Sequence, residues 1–258
     1  MNVFKSCRRI GTALCLFVLL TVFSTFAEES VDGNPAPHKT SGLIVSPLFG
    51  WVENVSNSSG TSDVSPEYGL FVMYANPRVV INNTTFFSDV NQSVVWGNIA
   101  SFNLYGDPKA KLTWYLGASY VWHRVETQTV EIEINEPLGK VGVVWRIPDL
   151  HLSLNPYVGY AQQTTVTKFP SAWHLPNDRN RSDIVVYGVS AYWRWRMLHA
   201  NAKYYLANDL DHDTFNHNFR IWCSAMFNES LGVIARLEYE EQNTTKDTSL
   251  LFGPVFVF

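Results

Sequence analysis

The sequence predicts an all-β protein, a closed, antiparallel, up-and-down transmembrane β-barrel of about 12 strands. Three observations predict it: apolar residues recur with a period of two, short and long polar links alternate between the apolar runs, and aromatic rings are many while charges are few. Charged residues make up 16% and aromatic residues 14% of the 258 residues. Soluble domains carry about 25% charged residues. Amphipathic rings suit the borders of a lipid-facing surface, where Trp and Tyr concentrate.

The N-terminal segment has the anatomy of a secretory signal peptide. Three basic residues precede the apolar run ALCLFVLLTVF, and the small-residue sequence STFA precedes Glu28. The apolar run is shorter than the roughly 20 residues that a spanning helix needs. We therefore predict a signal peptide over 1–27, a short periplasmic lead over 28–41 and the barrel over 42–258.

Charge and cysteine content exclude several classes of protein. Without the predicted signal peptide, 16 Lys and Arg residues stand against 23 Asp and Glu residues. This negative balance argues against a nucleic-acid partner. Cys7 and Cys15 lie in the signal peptide, so only Cys223 remains, which excludes a disulfide scaffold. The sequence has no Gly-rich phosphate loop, CxxC or HExxH motif, so we expect no cofactor.

The stretch DIVVYGVSAYWRWRM shows the alternation most clearly, with Tyr187, Trp193 and Trp195 on its apolar face. The stretch KLTWYLGASYVWHR repeats the pattern, and Trp114 and Trp122 lie eight residues apart on one face. At about 3.3 Å per residue and a tilt near 40°, these two rings are about 20 Å apart, close to the height of a membrane barrel's apolar band. A soluble sandwich also alternates, but its polar face is typically rich in Lys and Glu. The rings expected in the membrane belts are Trp114, Tyr120, Trp122, Tyr187, Trp193 and Trp195.

The strands follow in order from the alternation and from the links. Short links of two to five residues lie at 76–77, 106–110, 148–150, 198–199 and 228–230, and longer ones at 56–66, 127–137, 168–183 and 208–218. Short turns on one side and long loops on the other are typical of outer-membrane barrels. The first four strands alternate imperfectly. The predicted strands lie near 42–55, 67–76, 78–88, 94–105, 111–126, 138–147, 151–167, 184–197, 199–208, 218–227, 231–241 and 249–258.

The chain ends SLLFGPVFVF, an alternating strand that finishes on aromatic-x-aromatic. In a closed barrel the last strand pairs with the first and leaves no edge. This terminus, with the N-terminal segment and the strand pattern, resembles the C-terminal recognition signal of bacterial outer-membrane β-barrel proteins. The resemblance implies location in the cell outer membrane, contact with outer-membrane lipid, and recognition of Phe252, Phe256 and Phe258 by the barrel-assembly machinery. Pro254 departs from the pattern, because it has no N–H to donate at the closing seam.

The predicted register turns nine charged side chains into the lumen: Lys140, Arg146, Arg194, Arg196, Lys203, Arg220, Arg236, Glu238 and Glu240. Charges inside a membrane protein mark solute pathways by default, and a mostly basic lining favours anions. Barrels of about eight strands are filled by side chains, whereas those of 16–18 strands hold open channels. The sequence therefore predicts a passive narrow pore for small, preferably anionic solutes. A closed structural or adhesive barrel that acts through its external loops is the alternative.

A lipid-modifying enzyme is a further candidate, because His151, Ser153 and Asn155 share one face. Outer-membrane phospholipases use these three residue types, and acyl transfer needs a base beside the nucleophile. The trio lies at the short-turn end of a strand and no oxyanion element accompanies it. We therefore predict no catalytic residue and no enzymatic activity.

The link NDLDHDTFNHN carries alternating aspartates, with His212 and His217 nearby. Alternate carboxylates at Asp209, Asp211 and Asp213 could hold Ca²⁺. An EF-hand loop needs Gly at its sixth position and Glu at its twelfth, where this sequence has Thr214 and Arg220. We predict an exposed acidic loop and no metal site.

Overall fold

The computed structural model describes residues 42–56, 59–90, 93–173, 175–212, 214–241 and 245–258. The predicted signal peptide and periplasmic lead lie outside these ranges. The described residues form a closed barrel in which each strand is hydrogen-bonded to its neighbours in the chain and the first strand pairs with the last. All pairs are antiparallel. The predicted fold class and the count of twelve strands are confirmed.

The twelve strands are β1 Gly42–Ser56, β2 Ser62–Ala75, β3 Val79–Val90, β4 Ser93–Tyr105, β5 Leu112–Glu126, β6 Glu131–Ile147, β7 Leu152–Lys168, β8 Asp178–Trp195, β9 Leu198–Asp209, β10 Thr214–Met226, β11 Leu231–Glu241 and β12 Thr245–Val257. Two short 3₁₀ helices, Pro148–Leu150 and Ser171–Trp173, lie in the links before β7 and β8. Among the described residues, neither helix has the length and apolarity needed to cross a bilayer.

Alternation along the strands separates an outer face from an inner one. In β5, Trp114 and Leu116 are half exposed, whereas Tyr115 between them is 4% exposed. Directly paired residues share a face, so Trp114 stands beside Val143 and Tyr115 beside Gly142. Because the sheet closes on itself, the exposed apolar residues are on the outside and the buried set faces the lumen.

The predicted belt aromatics all lie on the outer face. Trp114 is at the turn end of β5, and Tyr120 and Trp122 are near its loop end. Trp193 and Trp195 lie at the turn end of β8, with ring centroids 6.4 Å apart. Tyr187 is 53% exposed further along the same strand. Rings at both ends of the outer face match the two borders of a membrane-embedded band.

Polar residues on the outer face explain why β3 and β4 alternate imperfectly in the sequence. Asn83 and Asn98 exchange side-chain amide hydrogen bonds of 3.1 Å in both directions. Thr85 donates to Asn83 at 3.2 Å and accepts from Asn98 at 2.9 Å. These three side chains satisfy one another, which lowers the cost of placing them on an apolar surface.

Several strands begin earlier than predicted. β6 starts at Glu131 and β8 at Asp178, so the links predicted at 127–137 and 168–183 shrink to 127–130 and 169–177. The predicted link at 208–218 likewise shrinks to 210–213. The apolar alternation stops where a strand emerges from the lipid. The backbone hydrogen bonds between strands continue beyond this point, through polar residues. Prediction from apolar alternation therefore placed the strand ends too close to the membrane.

Two apolar clusters lie on the inner face. The wall cluster comes from β5 to β9 and consists of Tyr115, Val144, Tyr157, Ala161, Ile184, Val186 and Ala207. The seam cluster adjoins the β1–β12 closure and consists of Leu48, Met226, Ile234, Leu251 and Val255.

The terminal aromatic residues lie on the outer face of β12 or just beyond its end. Phe252 contacts Trp51 of β1, with ring centroids 6.1 Å apart. Phe256 and Phe258 are 38% and 68% exposed. The backbone N–H of Phe258 donates to the carbonyl of Leu43 at 2.9 Å, so pairing with β1 extends to the last residue of the sequence.

Candidate functional site

An ion-pair layer crosses the upper half of the lumen. Arg220 of β10 and Glu238 of β11 are paired in register, and Arg236 precedes Glu238 by two residues on the same face. The Glu238 carboxylate forms ion pairs with both guanidinium groups and accepts a bond from Arg236 Nε at 2.8 Å. Arg236 is 6% exposed. Two cations therefore share one carboxylate, whose side chain is 25% exposed.

Arg236 also reaches a strand that is not its neighbour. Its Nη1 donates to Thr84 Oγ1 of β3 at 3.1 Å, and β12, β1 and β2 lie between the two strands. We call Thr84, Arg220, Arg236 and Glu238 the ion-pair layer. Because side chains from well-separated strands meet here, this layer narrows the lumen.

A second group of charges lies on the β5–β9 side of the lumen. Lys140 Nζ is 5.6 Å from the Tyr157 ring centroid and 6.0 Å from that of Tyr115. Lys203 Nζ is 5.7 Å from the Tyr157 centroid and 4.6 Å from that of Tyr205. Such distances are typical of cation–π contacts. We call these five residues the lysine–tyrosine wall.

The ammonium groups of this wall differ from the cations of the ion-pair layer. No carboxylate of a described residue lies within 4 Å of either lysine nitrogen. The Tyr157 hydroxyl is buried and has no hydrogen-bond partner in the part of the chain that the structure describes. The wall therefore offers cationic and phenolic groups that the protein's carboxylates do not neutralise directly.

Inward-facing glycines let these side chains lie flat. A Cβ atom at Gly117 would be 2.3 Å from Lys140 Cε, and one at Gly188 would be 2.3 Å from Tyr157 Cζ. Lys140 and Tyr157 thus occupy space that a side chain on the neighbouring strand would fill. Both side chains therefore lie against the barrel wall over these glycines.

The inner face also carries carboxylates that the sequence pattern did not predict, among them Asp63, Glu67, Glu136 and Asp247. Glu67 accepts a hydrogen bond from Ser249, Glu136 accepts one from Gln163 at 3.1 Å, and Asp247 pairs in register with Glu240. Glu136 and Asp247 fell in predicted links, whereas the spacing of Glu67 from the inward Phe71 could have revealed it. The lumen therefore carries both signs of charge and is not the mostly basic lining that the sequence predicted.

The other predicted lumen residues occupy different settings. Arg146 donates from Nη1 to the carbonyls of Ala110 at 2.6 Å and Asp107 at 3.2 Å, and so holds the β4–β5 turn. Arg194 lies on the inner face at the turn end, paired in register with His199. Glu240 is on the inner face of β11.

Arg196 does not line the lumen, so its prediction was wrong. It lies in the turn after β8 with φ 53°, and its guanidinium is 4.8 Å from the Trp195 ring centroid. Trp195 faces outward, so Arg196 is drawn to the outer surface. The strand ends one residue before Arg196, and the alternation used to place its side chain stops there.

The candidate catalytic residues do not form a site. His151 follows the first 3₁₀ helix with φ 52° and is exposed, while Ser153 lies on the inner face of β7 opposite Arg146. Among the described residues, no hydrogen bond joins the His151 and Ser153 side chains. Asn155 is on the same inner face, and its Oδ1 is buried.

The acidic link folds into a turn. Asp209 Oδ1 accepts the backbone N–H groups of Asp211 at 3.0 Å and His212 at 3.2 Å, and Oδ2 contacts the His212 ring at 3.0 Å. His217 meets the Tyr204 hydroxyl at 3.0 Å. Asp213 lies outside the described residues. Elsewhere in the described ranges, no cluster of three or more metal-binding side chains is present.

An outward-facing charge cluster lies beyond the upper aromatic belt, at the loop ends of β5, β6 and β7. Arg124 pairs with Glu126 at 2.5 Å and with Glu131 at 3.1 Å. Lys168 pairs with Glu131 at 2.7 Å and with Glu133 at 3.4 Å. The Trp122 indole N–H donates to Glu133 at 3.2 Å, which joins the cluster to the belt.

The ion pairs of this external cluster predict a pH response. The hydrogen bond from Lys168 holds the pKa of Glu131 below its ordinary value. A depressed carboxyl pKa contributes stability above the unfolded-state pKa, and this contribution is lost as pH falls through the folded-state pKa. We expect Glu131 to titrate below an ordinary glutamate in a ¹³C NMR titration, and Lys168→Ala to raise its midpoint. An unchanged midpoint in the variant would contradict the assigned pairing.

Comparison with known proteins shows the fold. No family model and no curated protein sequence matches the chain. The translocator domain of the autotransporter NalP from Neisseria meningitidis is similar, with a TM-score of 0.54 at 12% identity over 98% of both chains. The β domain of the Bordetella autotransporter Brka has a TM-score of 0.50 at 11% identity over 84% of this chain and 99% of that one. The chain therefore has the fold of bacterial outer-membrane β-barrels.

Proposed function

We propose that this protein is a barrel of the cell outer membrane that provides a narrow passage for small polar solutes. The observation that carries the proposal is the lysine–tyrosine wall, where Lys140 and Tyr157 lie over inward glycines on the β5–β9 side of the lumen. Charges inside a membrane protein are rare unless they are paired or line water. Lys140 and Lys203 have no direct carboxylate partner among the described residues, so the passage would prefer anions locally.

The ion-pair layer adjoins the lysine–tyrosine wall, because Arg220 pairs in register with Lys203. It bridges β3, β10 and β11 through Arg236 and Thr84, which would limit the conducting cross-section. A barrel of twelve strands is intermediate in diameter between the packed eight-stranded barrels and the open 16-stranded ones. We therefore propose a small conductance and a modest preference for anions, since the lumen also holds Glu67, Glu136 and Glu238.

Planar-bilayer recording tests this proposal. We expect small discrete current steps with the wild-type barrel, and reversal potentials in a salt gradient that indicate anion preference. Lys140→Glu with Lys203→Glu should shift the preference toward cations by about an order of magnitude, because ring charges set pore selectivity. Lys168→Glu, outside the lumen, is the matched control and should leave the reversal potential unchanged.

A second function is favoured by the length of four neighbouring strands. β5, β6, β7 and β8 have 15, 17, 17 and 18 residues, whereas β9 to β12 have 11 to 13. Their loop ends carry the outward charge cluster beyond the belt and could serve a closed structural or adhesive barrel. Absence of current steps in the wild type would refute the passage and favour this function.

We further propose contact with outer-membrane lipid and with the barrel-assembly machinery, supported by the outward aromatic residues of β12. Enzymatic activity is not part of the proposal, because His151 and Ser153 are not hydrogen-bonded to each other in the described chain. Lipid hydrolysis by the purified wild-type barrel, lost in Ser153→Ala, would contradict this view.

A further inference from the structure

The seam between β1 and β12 lacks backbone hydrogen bonds near the turn ends of the two strands. Below this point Leu43 and Phe258 exchange both of their backbone bonds, at 3.2 and 2.9 Å. In an antiparallel ladder, every second pair of opposed residues is a hydrogen-bonded pair. Positions 47 and 254 are opposed four residues further along, so they also form a position of the hydrogen-bonded kind. Both of these positions are proline. The two donors of one hydrogen-bonded pair are therefore missing at once.

The pairing of the strands reflects this loss. Register contacts run to Val45 and Phe256, stop, and resume at Phe49 and Phe252. The interruption extends over four residue steps, about 13 Å of strand. β6 and β7 are also interrupted at Pro156, but this proline faces Val143 by register, so only one donor is lost there.

The strands remain in contact across the interruption. A Cβ atom at Gly253 would lie 1.8 Å from the carbonyl oxygen of Pro47, so the two backbones approach closely. Without N–H donors at this pair, close packing replaces the usual hydrogen bonds. Parting of the strands at this point would break no N–H···O bond of the Pro47–Pro254 pair.

Apolar groups lie on both sides of the weakened segment. On the outer face, Pro47 is midway between the exposed Leu43 and Trp51, within the apolar band of β1. On the inner face are Leu48 and Leu251 of the seam cluster, 3% and 2% exposed. Ser46 also faces inward here, and its hydroxyl donates to the Pro47 carbonyl at 3.4 Å. Parting at this height would expose no charged side chain of the ion-pair layer, so hydrocarbon is the matching environment.

We propose that β1 and β12 part at Pro47 and Pro254, and that the acyl chain of a surrounding lipid enters the lumen there against the seam cluster. An acyl chain fits because it lies outside the seam at this height, is narrow and flexible, and needs no polar partner. This lateral entry is on a different wall from the solute passage and does not depend on it.

Site-directed fluorescence with a quencher in the bilayer tests the lateral entry. In a full-chain background with Cys7, Cys15 and Cys223 all replaced by alanine, Leu251→Cys and Val186→Cys are labelled separately with a small fluorophore. Both positions face inward and are 2% exposed, but Val186 belongs to the wall cluster. In vesicles of doxyl-labelled phosphatidylcholine, we expect quenching of the label at position 251 and little quenching at position 186.

Substitution of the prolines gives the second arm. Pro47→Ala with Pro254→Ala restores two backbone donors and should lower the open fraction by about tenfold, whereas Pro156→Ala should leave quenching unchanged. Equal quenching at positions 251 and 186, or quenching that the double substitution does not reduce, would overturn the proposal. If the Leu251→Cys variant does not fold, the quenching measurement is replaced by amide hydrogen exchange of Phe49 and Phe252 in the unlabelled barrel. The double substitution should slow that exchange, and unchanged rates would refute the opening.

Discussion

Replacing Glu238 with alanine is expected to lower the free energy of unfolding by about 3 kcal/mol, because it leaves the charge of the buried Arg236 uncompensated. Glu238 pairs with both Arg220 and Arg236, and the Arg236 side chain is 7% exposed. The Arg236 guanidinium is therefore shielded from water, whereas the Arg220 side chain is 28% exposed. Urea unfolding of the refolded barrel in lipid vesicles measures the loss.

The matched control is on the same strand. Glu241 pairs with Lys246 at 2.7 Å on the outer surface, where both side chains are more than one-third exposed. Glu241→Ala should cost at most about 1 kcal/mol, as exposed ion pairs do. Glu238→Gln, which keeps an acceptor oxygen, should fall between the two. A Glu238→Ala loss no larger than that of Glu241→Ala would contradict the role of the ion-pair layer.

Replacing Gly253 with alanine is expected to destabilise the barrel by about 3 kcal/mol, because overpacking forces the backbone to move. The new methyl group would lie 1.8 Å from the Pro47 carbonyl oxygen and 3.1 Å from Ser46 Oγ. These contacts can be relieved only by separating β1 from β12, which strains the hydrogen bonds on either side of the proline pair. The same vesicle unfolding experiment measures the effect.

Gly139→Ala provides the comparison for this substitution. Gly139 is on the outer face of β6, and a Cβ atom there would meet no atom within 4 Å. We expect the free energy of unfolding of the Gly139→Ala barrel to be unchanged or slightly raised, since alanine restricts the unfolded chain more than glycine does. Equal effects of the two substitutions would show that the close approach at the seam does not constrain Gly253.

The outer face was predictable from the alternation in most strands, with β3 and β4 as the exceptions. Lipid requires apolar side chains at every second position, and rings at the borders, so Trp114, Tyr120 and Trp122 carried the signal in their spacing alone. The inner face was less predictable. Glu238 and Arg220 could be placed on it by alternation, but nothing in the sequence indicated that Arg236 reaches Thr84 on β3.

The inner-face residues that were missed or misplaced have a common cause. Glu136 and Asp247 lie on strand segments beyond the lipid, where polar residues occupy both faces and the alternation disappears. Arg196 was misplaced because a turn ends the strand at Trp195, two residues earlier than the pattern indicated. In each case backbone hydrogen bonding, which the side-chain pattern does not report, sets the boundary.

The sequence by itself determined the architecture, because a bilayer imposes one simple condition: backbone groups must be satisfied by closure, and outward side chains must be apolar. That condition constrains residues that are close together in the chain, so the local sequence pattern reveals it. Only the tertiary structure decided which side chains meet inside, since contacts such as Arg236 with Thr84, or Pro47 opposite Pro254, join residues distant in the chain. Their meeting depends on strand order, register and curvature, and from these come both the proposed passage and the proposed lateral opening.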